Sequence, residues 1–262
     1  MKVPINRSIT DINKNPVDMT ADVDNRLGSI YEYLLAKYGR QGWWPLIHYQ
    51  GCNPTKSGIV SGYHPGKYTI PESEDEKYEI CLGAILTQNT GWPQVEVALK
   101  NLVRICALNP ASIKKMQMDE LKEAIKPSGY YNQKAKKVKI FTDYFMTLKQ
   151  GYIPRRDELL TIWGIGRETA DSMLLYAFKV PTFVVDAYTK RIMNNLKMIE
   201  PTYTYDQIKE IFEKNLPRDL VLYQEYHALI VEHAKRYYPK KADYTECPLY
   251  QSIVLNQVQL TA

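Results

Sequence analysis

The sequence predicts an all-α fold. Apolar residues recur at helical spacing in one segment after another, and no stretch keeps a two-residue alternation between turn signals. Val23, Leu27, Ile30 and Leu34 share one helical face, with Gly39 as a stop. Tyr78, Cys81, Leu82, Ile85 and Leu86 follow the i, i+3, i+4 pattern of a core-facing helix. Pro110 after Asn109 suits a first helical position. Leu121 and Ile125 mark a short helix ended by Pro127, Ser128 and Gly129. Val138, Phe141, Phe145 and Leu148 mark a longer one closed by Gly151. Ala170, Met173, Leu174, Ala177 and Phe178 repeat the core-facing pattern. Thr204 and Gln207 form a capping box ahead of Ile208, Ile211 and Phe212. Tyr226, Leu229, Ile230 and His233 mark a last long helix. Gln50 to Ser73, rich in Gly and Pro, reads as one long loop.

The chain has 262 residues, enough for one large domain or two small ones, and it can bury a core without disulfides. Hydrophobic residues at 45% and charged residues at 24% exclude disorder as the main state. No apolar run approaches the ~20 residues that span a bilayer. The start, Met1 to Arg7, lacks the apolar stretch of a signal peptide. These features predict a soluble protein of the cytoplasm with no membrane partner. A net charge of +5 suits a polyanionic partner, although many proteins carry such a surplus for solubility. Cys52, Cys81, Cys106 and Cys247 are widely and irregularly spaced, so they offer no metal-type pair and are expected to stay reduced. Lys134, Lys136, Lys137 and Lys139 read as a solvated helix face.

The densest signal runs from Leu159 to Ala170, LLTIWGIGRETA. A short helix, a Gly-x-Gly turn at Gly164, Ile165 and Gly166, and a second helix from Arg167 make a helix-hairpin-helix. Glycines permit the tight turn and the close approach of a phosphate. The start of the second helix presents N–H groups and the positive end of the helix dipole to that phosphate. Such contacts fix register on DNA without reading sequence. Downstream, Asp186 ends the apolar run Phe183, Val184, Val185 and opens a polar helical stretch containing Lys190 and Arg191. By itself Asp186 reads either as a helix N-cap or as a carboxylate at the mouth of a cleft.

Together the hairpin and the aspartate resemble the helix-hairpin-helix DNA glycosylases of the endonuclease III group. The stretch Gly83 to Trp92, with Gln88 and Asn89, is similar to the segment of that family whose glutamine fills the hole left by a flipped base. The resemblance runs from about Trp43 to Leu249. It implies a two-domain helical body. Residues 76–181 would form a six-helix barrel, and a second domain would combine residues 1–75 with residues 182–262. DNA would lie in the cleft between them. It also implies that Asp186 is the catalytic acid and that Gln88, Asn89, Gly164, Ile165, Gly166, Arg167 and Lys190 meet DNA.

Two departures from the family pattern decide the chemistry. Lyase members carry a nucleophilic lysine where this chain has Glu168, eighteen residues before Asp186. A carboxylate cannot form the Schiff base that an amine forms with the sugar carbon, so strand cleavage should be lost while base removal survives. Many relatives also bind a [4Fe–4S] cluster through four cysteines near the C-terminus. Only Cys247 stands in that context, with Tyr244 at the place of a second cysteine, so no cluster and no other metal is expected.

The subgroup resembled is the bacterial 3-methyladenine DNA glycosylase of endonuclease III type. The segments that carry this are Trp43-Trp44-Pro45, Lys77-Tyr78-Glu79, Pro127 to Lys136 and Gly166 to Ser172. It implies that Trp43, Trp44, Tyr78 and Lys235 line a base pocket. A 3-alkylated purine is cationic and already a good leaving group, and indole rings attract such a cation by ~2 kcal/mol when desolvated. The expected function is thus monofunctional excision of alkylated purines from double-stranded DNA by a monomer. The alternatives are an endonuclease III-like enzyme for another damaged base, or a non-catalytic DNA-binding module.

Overall fold

The computed structural model describes residues 23–239 and 244–255. The Met1 to Arg7 stretch lies outside the described residues, as does the side chain of Val23. The chain divides into two compact units. The larger comprises residues 40–186 and 218–228; the smaller holds the remaining described residues. By this division residues 40–75 belong with the larger unit, whereas the sequence reading grouped them with the termini. The reason is local: the Glu79 carboxylate accepts the Ile47 N–H at 2.6 Å, and the Trp44 indole packs on Gly83.

In the larger unit a two-stranded antiparallel hairpin comes first, β1 (Gln50–Cys52) pairing with β2 (Ile59–Ser61). It lies inside the segment read as loop. Strands of three residues are too short to display a two-residue period. Helix α2 (Glu74–Leu86) starts at a capping box in which Ser73 and Glu76 satisfy each other's backbone. Every residue from Tyr78 to Leu86 is buried, so α2 is a central helix covered on all sides rather than on one face. It packs against α6 (Tyr131–Phe145), α8 (Arg167–Ser172) and a π turn over Met173–Ala177. Helices α3 (Trp92–Arg104), α4 (Pro110–Lys115), α5 (Met118–Ile125) and α7 (Arg156–Leu160) complete the set before Asp186. Asn109 caps α4 through the Ser112 N–H. Helix α6 ends at Phe145, so Leu148 lies beyond it.

The lysine run is a correction to the sequence reading. Lys134 is only 2% exposed, and its ammonium donates at 2.7 Å each to Leu86 O, Thr90 Oγ1 and Ser128 O. Those three acceptors use its three protons, which makes burial of the charge tolerable. Lost hydration, with the charge of Lys137 behind it, still brings its pKa down to about 8. Lys139 satisfies the carbonyls of Ile113, Lys114 and Met116 at the end of α4. Only Lys136 stands on an exposed face as expected; Lys137 is half-buried.

The smaller unit contains α1 (Val23–Tyr38), α9 (Ala187–Asn195), α10 (Tyr205–Asn215) and the later part of α11 (Leu220–Tyr237). Thr204 and Gln207 form the expected capping box. His233 is its buried hub, with Nδ1 2.8 Å from the Tyr38 hydroxyl and Nε2 3.2 Å from Cys247 Sγ.

Candidate active site

The hairpin is the turn between α7 and α8. Gly164 has φ +87, the left-handed region that side chains rarely adopt. A Cβ there would meet Lys137 Cγ at 2.5 Å. The two glycines divide the work, because Gly166 has φ −93 and faces open space. Gly164 makes the turn, and Gly166 leaves room at the start of α8, where no side chain caps the helix. Ile165 is buried and its N–H closes on Ile162 O at 3.0 Å, so it supports the turn from inside. Arg167 is exposed beside Gly166.

Two clamps hold this turn. Gln88, just past the end of α2, donates at 3.0 Å to both Gly164 O and Thr169 Oγ1, while Lys137 donates to its Oε1 at 2.5 Å. The amide is therefore fully engaged within the protein, and the exposed side chain of that loop is Asn89, with φ +53, followed by the exposed Gly91. On the other side, Arg156 of α7 grips the fully buried Asp171 of α8 through two parallel hydrogen bonds of 2.8 and 3.0 Å.

Asp186 immediately precedes α9, with a side chain 13% exposed. His227 Nε2 lies 3.8 Å from its Oδ2. Glu168 keeps a solvent-exposed face, yet loss of water and then the charge of Asp186 push its pKa up to about 7. The charge of Asp186 is thus felt at Glu168, which places the two carboxylates on the same side of the hairpin.

The aromatic residues separate. Trp43 is half-buried and meets the His227 ring edge-on, with centroids 5.7 Å apart. Trp44 is only 6% exposed and packs into the core against Trp92 and Tyr176. Tyr78 corrects the pocket assignment. It has no exposed surface, its hydroxyl bonds Thr142 Oγ1 at 2.6 Å and its ring packs on Phe145, because α2 is covered all round. In the smaller unit, Lys190 donates to Tyr203 O at 2.8 Å, and Lys235 is exposed in the last turn of α11.

His227, Asp171, Lys134 and Lys137 were not found as site or support residues from sequence. Each acts through a partner distant in the chain, and no local spacing announces such a pair.

Among the described residues no group of three or more His, Cys, Asp and Glu side chains could hold a metal. Cys247 is buried against His233, and the other three cysteines belong to the larger unit. One thiol does not fit a four-iron cluster.

The hairpin, Glu168 and Asp186 all lie in the part of the chain that matches a family of base excision DNA repair proteins. Residues 82–218 match the family of HhH-GPD superfamily base excision DNA repair proteins, and the chain belongs to that superfamily. A chain of Methanocaldococcus jannaschii provisionally named a DNA repair glycosylase is 44% identical, over 84% of this chain and 92% of its own length. Endonuclease III of Thermotoga maritima is 32% identical over 56% of this chain and 68% of its own. Among solved structures, H. pylori 3-methyladenine DNA glycosylase bound to 1,N6-ethenoadenine is similar, with a TM-score of 0.63 and 27% identity. That match covers 82% of this chain and 98% of the other. An endonuclease III–DNA covalent intermediate shares the fold, with a TM-score of 0.68 at 16% identity over 90% of this chain and 98% of the other.

Proposed function

We propose that this protein is a monofunctional DNA glycosylase that hydrolyses the N-glycosidic bond of alkylated purines in double-stranded DNA, acting as a monomer. The observation that carries the reading is the pair at the hairpin: Asp186 in place, and Glu168 where a lyase needs an amine. The similarity to the H. pylori enzyme supports alkylpurines as the substrate class.

The phosphate backbone docks at Gly166 and the start of α8, where open space meets the positive helix end. The face of Trp43 stacks on the extruded cationic base, which stacking discriminates from a neutral one. Such a base leaves without being protonated. As the bond to the sugar breaks, Asp186 faces the oxocarbenium ion and stabilises it electrostatically. Water then attacks C1′ and loses a proton, leaving an intact abasic strand and a neutral base. No iron–sulfur cluster takes part. Gln88 acts by fixing the hairpin, and Asn89 is the loop residue presented to DNA.

The test is a panel of duplexes carrying 3-methyladenine, 7-methylguanine, ethenoadenine or an oxidised pyrimidine, with free base measured by chromatography. Release of the cationic 3-methyladenine and 7-methylguanine is expected, and the uncharged ethenoadenine should leave far more slowly, because it gains neither the cation–π stacking nor the ready departure of a charged base. Release of oxidised pyrimidine alone would overturn the substrate class, and binding without release would leave a DNA-binding module.

A further inference from the structure

His227 has no role in the reading above, and its position gives it one. It is 4% exposed and lies on the part of α11 that belongs to the larger unit. Three groups meet its ring. Nε2 is 3.8 Å from Asp186 Oδ2, Nδ1 is 2.8 Å from the Tyr176 hydroxyl, and Trp43 stands edge-on to it. The ring therefore touches both the acid and the stacking wall assigned above.

Electrostatics chooses the tautomer. A neutral imidazole carries one N–H. If that proton sat on Nδ1, the Nε2 lone pair would face the Asp186 carboxylate, which is repulsive. With the proton on Nε2, an N–H dipole points at the carboxylate and Nδ1 accepts the Tyr176 hydroxyl. Tyr176 also lies 3.1 Å from Gln224 O, but its single proton serves one acceptor at a time. The titratable groups around the imidazole are Asp186 and Tyr176, with Glu225 on its own helix and Glu168 beyond Asp186. Burial holds its pKa below the usual histidine value, and Asp186 only partly offsets this. The ring is accordingly neutral at physiological pH and does not repel a cationic base.

We propose that His227 is a positioning residue of the excision reaction: its Nε2–H orients the Asp186 carboxylate while its ring edge braces Trp43, so the acid and the stacking wall keep a fixed separation. The 3.8 Å gap exceeds a hydrogen bond and is of the kind that tightens when substrate closes the site. The same stretch of α11 braces the tryptophan pair from a second point. Glu225 accepts the N–H of Gln41, two residues before Trp43, at 2.7 Å, and it also accepts the Tyr68 hydroxyl at 2.9 Å.

This inference rests on the proposed chemistry, so its test has two arms. In the first, His227→Phe and His227→Gln are compared with wild type in single-turnover excision, on whichever duplex of the panel wild type processes. Phe keeps the ring and loses the N–H; Gln keeps a donor. His227→Phe is expected to slow excision about tenfold or more, as a misplaced catalytic group does. His227→Gln should restore most of the rate, which a merely structural role for the ring would not predict. Equal rates for Phe and wild type, or no rescue by Gln, would overturn the proposal. The second arm needs no substrate. In 15N-histidine-labelled protein, which has four histidines, His227 should carry its proton on Nε2 at pH 7. Asp186→Asn should move its protonation to lower pH. A proton on Nδ1, or a titration indifferent to Asp186→Asn, would overturn it. If wild type releases no alkylated purine, the substrate class fails while the spectrum still decides the role of His227.

Discussion

Replacing Asp186 by Asn removes a charge and leaves the shape, which isolates the electrostatic part of its role. Excision should fall by about 10²-fold or more while duplex binding persists, because stabilisation of the oxocarbenium ion is lost and contacts to the strand are not. Single-turnover rates beside a binding titration check this, and near-normal turnover would contradict it. The glycines make a sharper pair. Gly164→Ala forces a side chain to φ +87 and drives Cβ into the Lys137 stem, at a cost of about 1–3 kcal/mol read as a lower melting temperature. Gly166→Ala should melt like wild type, since its Cβ enters open space. It should bind every duplex more weakly, because that space is where the phosphate comes. The sequence marked both glycines as necessary but could not say which bends the chain and which makes room. That division depends on φ and on a lysine from another helix.

Between elements, charged contacts hold the architecture. Asp171→Asn breaks the buried pair that fastens α7 to α8. Arg156 keeps partial access to water and can rehydrate, so the cost should fall near the low end of the range for such pairs, about 3 kcal/mol by chemical denaturation. Glu79 offers a pH test. Burial raises its pKa to about 7, so between about pH 4.5 and 7 the folded state binds more protons than the unfolded one, and stability declines as pH rises through that window. Glu79→Gln still accepts the Ile47 N–H but carries no charge. Melting curves from pH 5 to 8 should show a flatter profile for the variant and its largest gain at pH 8. Legibility follows the range of the cause. The capping box at Thr204, the Asn109 cap and the hairpin turn depend on residues within a few positions and could be read directly. The burial of Tyr78 depends on what covers the second face of α2, and periodicity along one helix does not contain that. The burial of Lys134 depends on carbonyls from two other segments. The abundance of tyrosine also acquires a partial account. Tyr38, Tyr78 and Tyr176 are buried rings whose hydroxyls find His233, Thr142 and His227, a task phenylalanine cannot perform.

For the whole protein the reaction product is the decisive readout. With Glu168 in the lysine's place, borohydride should trap no protein–DNA adduct, and lesion strands should break only after alkali. Lys179, the nearest lysine along that stretch, instead donates to Thr69 O, so it is occupied away from the hairpin. A strong adduct that disappears on mutating a lysine would contradict monofunctional chemistry. The division of the chain bears on how such a protein can be altered by recombination. The polypeptide passes between its two units after residues 39, 186, 217 and 228, so neither unit is a continuous stretch of gene. A fragment ending at Asp186 would include the hairpin and the acid yet lack Glu225 and His227, which come from the first half of α11. Shuffling one unit for a homologous one therefore requires four coordinated junctions, the last of them inside a single helix. Inheritance of the larger unit is tied to that of the smaller, and change in substrate preference is expected to proceed by point substitution around Trp43 and His227 rather than by exchange of modules.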